Sequence, residues 1–242
     1  MRVFLIATLV TLSSVAAQPR AAGQGRGGPP GAASTAKASA PADFTGYWVA
    51  FVTEDWRFRM VTPRKGDYQG VPMNEQARKI AEAWNPAADE ASGDQCKAYG
   101  AAAIMRLAGR FHITWQDDNT MQIDSDSGMQ TRLLHFNLPP SPPGERTWQG
   151  YSTAQWQRAA SLRVATTNLR PGYLRKNGVP YSEKAAVTEY FDIAPLPNGG
   201  QVLLVTTVVD DPQYLRQPFI VSSQFKKEAD ASKWDPRPCT AR

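Results

Sequence analysis

From Arg110 onward the apolar residues return at every second position, and short clusters of turn residues interrupt them. That rhythm belongs to strands with one buried face, not to helices. Phe111, Ile113 and Trp115 share one face of GRFHITWQ; DDNT then reads as a turn, and MQIDSD places Met121 and Ile123 together. SG turns again before MQTRLLHF, which completes a three-strand meander. The pattern repeats over 161–169, 185–194, 201–211 and 218–227, with PNGG at 197–200 as a hairpin connection. With an opening strand in GYWVAF the total is about eight strands. An all-β antiparallel barrel or sandwich is the expected architecture.

One helix interrupts this. In MNEQARKIAEAW, Met73 to Trp84, Asn74 is placed to cap and Glu75 lies in the first turn, where an acid is favoured. Ala77, Ile80, Ala81 and Trp84 form one apolar stripe, so Trp84 is expected to dock the helix on the body.

The ends read differently. Met1 to Ala17 has an early Arg2, a short apolar run and small residues before Gln18, the layout of a cleaved export signal. The run is shorter than a membrane span requires. Residues 18–42 are Ala, Gly, Pro and Ser with three cations, and are expected to be a disordered tether. The barrel domain is then 43–242. The net charge is +5, but four of the 27 cations lie before residue 43, leaving 23 against 22 acids. A nearly neutral body lacks the footprint of a nucleic-acid binder. The two cysteines, Cys96 and Cys239, are expected to bond in an oxidising compartment.

Gly46-Tyr47-Trp48 resembles the Gly-x-Trp signature that opens the first strand of lipocalins. WQGYSTAQW (148–156), SLRVATTNL, NGVPYSEKAAVTEYF (177–191) and VDDPQYLRQPF (209–219) resemble a group of secreted bacterial proteins regarded as lipocalin-like. The resemblance implies an up-and-down barrel, export, Gly46 at a close turn and Trp48 closing the barrel floor. It implies no established activity. Tyr151 and Tyr181 stand where relatives carry histidine, which leaves any histidine chemistry of that group open here.

The residues that can carry chemistry are few. His112 and His135 are the only histidines. With the first turn centred between Asp118 and Asn119, His112 faces Ser125 and His135 lies roughly 16 Å farther on at 3.3 Å per residue. They are not expected to share a metal, and two lone cysteine sulfurs make a poor cage. Asp117, Asp118, Asp210 and Asp211 read as turn formers. Glu189 alternates with Val187 and Phe191, which look inward; an acid there is either buried and paired or lining a cavity. No serine elbow, phosphate loop, Cys-x-x-Cys or zinc-protease motif occurs.

Aromatic residues are abundant at strand ends. Trp56, Trp115, Trp148, Trp156 and Tyr190, with Arg57, Arg59 and Arg132 as anion clamps or stacking partners, are the expected ligand-binding set. The expectation is an exported protein that holds a small apolar or aromatic molecule in the barrel. The alternative is a cofactor-free lyase, isomerase or hydrolase using Glu189, His112, His135, Tyr151 and Tyr181 as acids and bases. An eight-strand barrel has room for a cavity or for a solid aromatic plug, and the sequence leaves both open.

Overall fold

The computed structural model describes residues 34–138, 144–197 and 199–242. The leader expected over 1–17, the tether over 18–33 and one residue of the PNGG turn lie outside them. The chain runs β1 (Gly46–Ala50), α1 (Trp56–Arg59), α2 (Glu75–Ala83), α3 (Pro86–Ala91), β2 (Arg110–Trp115), β3 (Thr120–Ser125), β4 (Ser127–Gly128) and β5 (Gln130–Phe136). It continues through β6 (Tyr151–Trp156), β7 (Leu162–Thr167), β8 (Gly172–Arg175), β9 (Val179–Tyr181), β10 (Ala186–Pro195), β11 (Gln201–Asp210), β12 (Phe219–Glu228) and β13 (Arg237–Pro238).

Nine strands close into a barrel among the described residues, in the order β1-β2-β3-β5-β6-β7-β10-β11-β12 and back to β1. Each strand follows its chain predecessor round the barrel, so the path is up-and-down. The expected antiparallel barrel is present, and two details refine it. The count is nine rather than about eight, and one neighbouring pair, β5 with β6, is parallel. The two facts are one constraint. Strands that alternate in direction cannot close a ring of odd number without one parallel step. That step falls between Phe136, the last residue of β5, and Tyr151, the first of β6.

The uncounted strand is β6. Its inward positions are Ser152 and Ala154, buried but not strongly apolar, so no hydrophobic alternation marks it. The other strands lie within a residue or two of their expected bounds. The meander's first hairpin is shifted by one, setting His112 opposite Asp124 rather than Ser125. The expected helix is α2: Asn74 accepts a hydrogen bond from Ala77 N at 2.9 Å, and Ala77, Ala81 and Trp84 are buried. Two shorter helices, α1 and α3, accompany it. No helix among the described residues is long and apolar enough to cross a membrane.

One end of the barrel is a floor. Gly46 opens β1 with φ +107°, a conformation a side chain rarely adopts, and Trp48 turns inward and is fully buried. Trp48 Nε1 donates to Phe44 O at 2.9 Å. Phe44 stacks on Trp156 at 5.9 Å, and Phe136 and Trp115 complete the cluster. Residues 34–42 are not a tether. Trp156 Nε1 donates to Ala36 O, Ala36 N to Asn119 Oδ1, and Ala36 is buried. Composition missed this because the apolar partners belong to the barrel, not to the segment.

The other end is capped by the long connections 51–109 and 168–185, with a second apolar core. Tyr181, Leu174, Ala77 and Phe219 belong to it. The expected disulfide is present: Cys96 and Cys239 bond across 143 residues, with Cα atoms 5.1 Å apart. It ties the C-terminal strand β13, paired with β4, to the cap.

Replacing Trp48 by Ala is expected to lower the unfolding free energy by about 3–5 kcal/mol, because the cavity cannot collapse. Replacing the exposed Trp56 by Ala is expected to change it by less than about 0.5 kcal/mol. Urea unfolding of both variants checks the assignment of floor and lip. Cys96→Ser with Cys239→Ser is expected to lower it by about 2–5 kcal/mol; an unchanged urea midpoint would show that the cap holds without the crosslink.

Candidate functional site

The barrel interior contains side chains rather than space. Phe111, Met121, Leu134, Leu162, Phe191 and Phe225 are all buried in one core with Trp48. At the cap side of this core Arg132 and Glu189 meet as an ion pair, both buried. Arg132 Nε also donates to Ser152 Oγ at 3.1 Å and Nη2 to Thr166 Oγ1 at 2.7 Å. Glu189 was expected to be either paired or lining a cavity, and it is paired. The five main cavities along the described residues are not lined by this pair.

The remaining acid–base candidates do not converge on it. His112 stacks on Tyr47 at 4.1 Å, with Trp234 at its edge. His135 stacks on Tyr151 at 5.0 Å, and desolvation holds its pKa below the ordinary histidine value. Tyr181 is buried in the cap core, where burial raises its phenol pKa and its hydroxyl has no partner. Asp211, read as a turn former, is a buried clamp that accepts from Ser182 N, Ser182 Oγ and Gln213 N. Among the described residues no group of three His, Cys, Asp or Glu side chains is placed to hold a metal ion.

Of the expected ligand set, Trp115 and Trp156 are floor residues. Tyr190 faces outward on β10, and Trp148 carries the guanidinium of Arg170 over its ring at 4.5 Å. Arg57 pairs with Asp67 near the surface. Arg59 is different. Before α1 the chain turns through Asp55 at φ 50°, a left-handed conformation that Asp tolerates. The single helical turn, closed by Met60 N donating to Trp56 O at 2.8 Å, then presents Trp56 and Met60 outward and buries Arg59.

Arg59 lines a cavity of about 200 Å³ in the cap together with Arg106 and Arg175. All three arginines are buried. Arg59 Nη1 donates to Glu54 and Nε to Arg106 O at 3.0 Å. Arg106 Nη2 donates to Asp55 Oδ2 at 3.1 Å. Arg175 Nη1 donates to Gln69 O at 2.7 Å, and its guanidinium lies 4.1 Å from the Phe58 ring. No carboxylate pairs with Arg175. Each arginine also keeps one enclosed nitrogen without a partner: Arg59 Nη2, Arg106 Nη1 and Arg175 Nε. Buried charge without a counter-charge is costly. Accordingly desolvation, aided by the like charge of Arg106, lowers the pKa of Arg175 to about 10. Desolvation lowers that of Arg59 as well.

Sequence reasoning found Arg59 and missed Arg106 and Arg175. Arg106 carried a signal: it is the only charge in AAAIMRLAG, and an isolated cation in an apolar run is either paired or at a site. Arg175, in GYLRKNG, looks like any surface arginine. No protein family, curated protein or solved structure matches the chain.

The Arg132–Glu189 pair makes a test of the barrel's filling. Glu189→Leu alone is expected to destabilise the protein by about 3–5 kcal/mol, since it strands a buried guanidinium. Adding Arg132→Met is expected to restore most of that loss in chemical denaturation. Additive losses would mean that the two groups do not meet.

Proposed function

We propose that this is an exported binding protein that holds a small anion in the arginine-lined cavity of its cap. One observation carries the reading: three buried arginines line one cavity, and among the described residues one of them has no carboxylate partner. An anion's oxygens would meet the unpaired guanidinium and return the site toward neutrality. Arginine suits this, because its planar fork matches carboxylate and phosphate groups. The leader-like Met1–Ala17 and the Cys96–Cys239 bond support export. The Gly46-x-Trp48 opening and the sequential barrel support kinship with the lipocalin-like proteins. The binding place differs from the barrel lumen first expected, because core side chains and the buried Arg132–Glu189 pair occupy the lumen.

Titration calorimetry with inorganic phosphate and with acetate, at constant ionic strength, tests this. At least one anion is expected to bind saturably. Arg175→Ala is expected to weaken that binding roughly 10- to 100-fold, the worth of a charge-assisted hydrogen bond. Arg57→Ala, outside the cavity, is expected to leave it unchanged. Equal affinity in wild type and Arg175→Ala, in protein whose circular dichroism shows it folded, would overturn the assignment.

A further inference from the structure

The cavity is too small for a whole ligand of ordinary size. Its volume is about 200 Å³, whereas sites that enclose drug-sized molecules span about 300–1,000 Å³. At about 30 Å³ for each water-sized unit, it accommodates a head group of a handful of heavy atoms. Anything larger must leave through the wall, and the composition of that wall says what leaves.

Met60 and Val61 line the cavity yet are 58 % and 62 % exposed. They therefore form the rim between the arginines and solvent. Trp56 stands one helical turn before Met60 on the same outward side, 68 % exposed. Three large apolar side chains thus lie open within six residues, beside a cationic chamber. Scattered exposed apolar residues need no account, but a contiguous set at the mouth of a site is a mark of binding. We propose that the bound anion is the head group of a soluble single-chain amphiphile, a carboxylate or a phosphate, whose apolar tail lies across Trp56, Met60 and Val61.

This rests on the reading that the cavity binds an anion and goes beyond it in naming what is attached. Charge placement favours a soluble molecule over a membrane surface. Arg175, the one arginine of the three without a carboxylate partner among the described residues, is buried, where a headgroup plane does not reach. The cation beside the lip, Arg57, is paired with Asp67, and Glu54 and Asp55 flank the same turn.

The experiment is a chain-length series on the purified protein by calorimetry. It uses inorganic phosphate, butyl phosphate and octyl phosphate, then acetate, butyrate and octanoate, all below their micelle concentrations. Affinity is expected to rise about threefold for each methylene that reaches the lip. The rise is expected to flatten in Trp56→Ser. If inorganic phosphate and octyl phosphate bind equally, the tail assignment fails and the anion site stands. Absence of binding in both series overturns both readings. Octanol binding as tightly as octyl phosphate removes the head-group assignment. Binding to vesicles containing an anionic phospholipid, with none to the monomeric series, overturns the soluble-ligand proposal in favour of a membrane surface.

Discussion

Arg132 and Glu189 face each other inside the barrel, and an ion pair removed from water leans on the walls for its remaining hydrogen bonds. Ser152 and Thr166 supply two and bond each other at 2.8 Å, while Arg132 Nη1 and Glu189 Oε1 are buried without a partner. Much follows from this cluster. The inward faces of β5, β6, β7 and β10 must each give up an apolar position to it. The salt bridge spans the lumen from β5 to β10, so the side chains that satisfy the charges also occupy the space a barrel ligand would need. Below it the aromatic floor is closed by Phe44 and the 34–42 segment. The arginine-lined cavity lies instead at the end built from long connections.

That end belongs to the same compact unit, Ser34–Arg242, as the barrel. The cap has its own core, its own helix and a crosslink from Cys96 to Cys239. Gly178, at φ +83°, lets the β8–β9 turn press on the Trp84 ring, where a side chain would collide. This packing places Arg175, on β8, near Arg106 and Arg59, which come from the connection between β1 and β2. The three arginines are distant in sequence and meet only because both connections leave the same end of the barrel. A binding site made this way can change its residues without disturbing the strands beneath it.

The sequence made the barrel legible wherever one face of a strand is apolar. That holds for Phe111, Ile113 and Trp115, and for Val187 and Phe191. It concealed β6, because Ser152 faces the ion pair and Ala154 is small. It also concealed the order of residues 34–42, since an alanine-rich segment buried by other residues' rings looks like one exposed to solvent. One of the three cap arginines was readable: Arg59 as an anion clamp near Trp56. Arg175 was not, because what distinguishes it is the absence of a partner, and partners are a property of three-dimensional neighbours. Trp115 and Trp156 were correctly seen as strand-end aromatics. Which end they closed depended on a segment that composition marked as unstructured.

The two groups of buried arginine differ in a way that separates structure from function. Arg132 has a carboxylate and two hydroxyls within reach, although its Nη1, like one nitrogen of each cap arginine, has no partner. Arg175 has one carbonyl and an aromatic face, and its pKa is drawn down toward 10. A chain selected only for stability gains nothing from enclosing an uncompensated guanidinium, since a neutral side chain of the same size would pack there without the desolvation penalty. An anion that binds the folded chain and not the unfolded one stabilises it in proportion to the logarithm of its concentration. Such an anion also raises the guanidinium pKa back toward its ordinary value. The desolvation of Arg175 is thus what an anion bound as proposed above would relieve, and the filled barrel beside it is the support on which the cap residues stand.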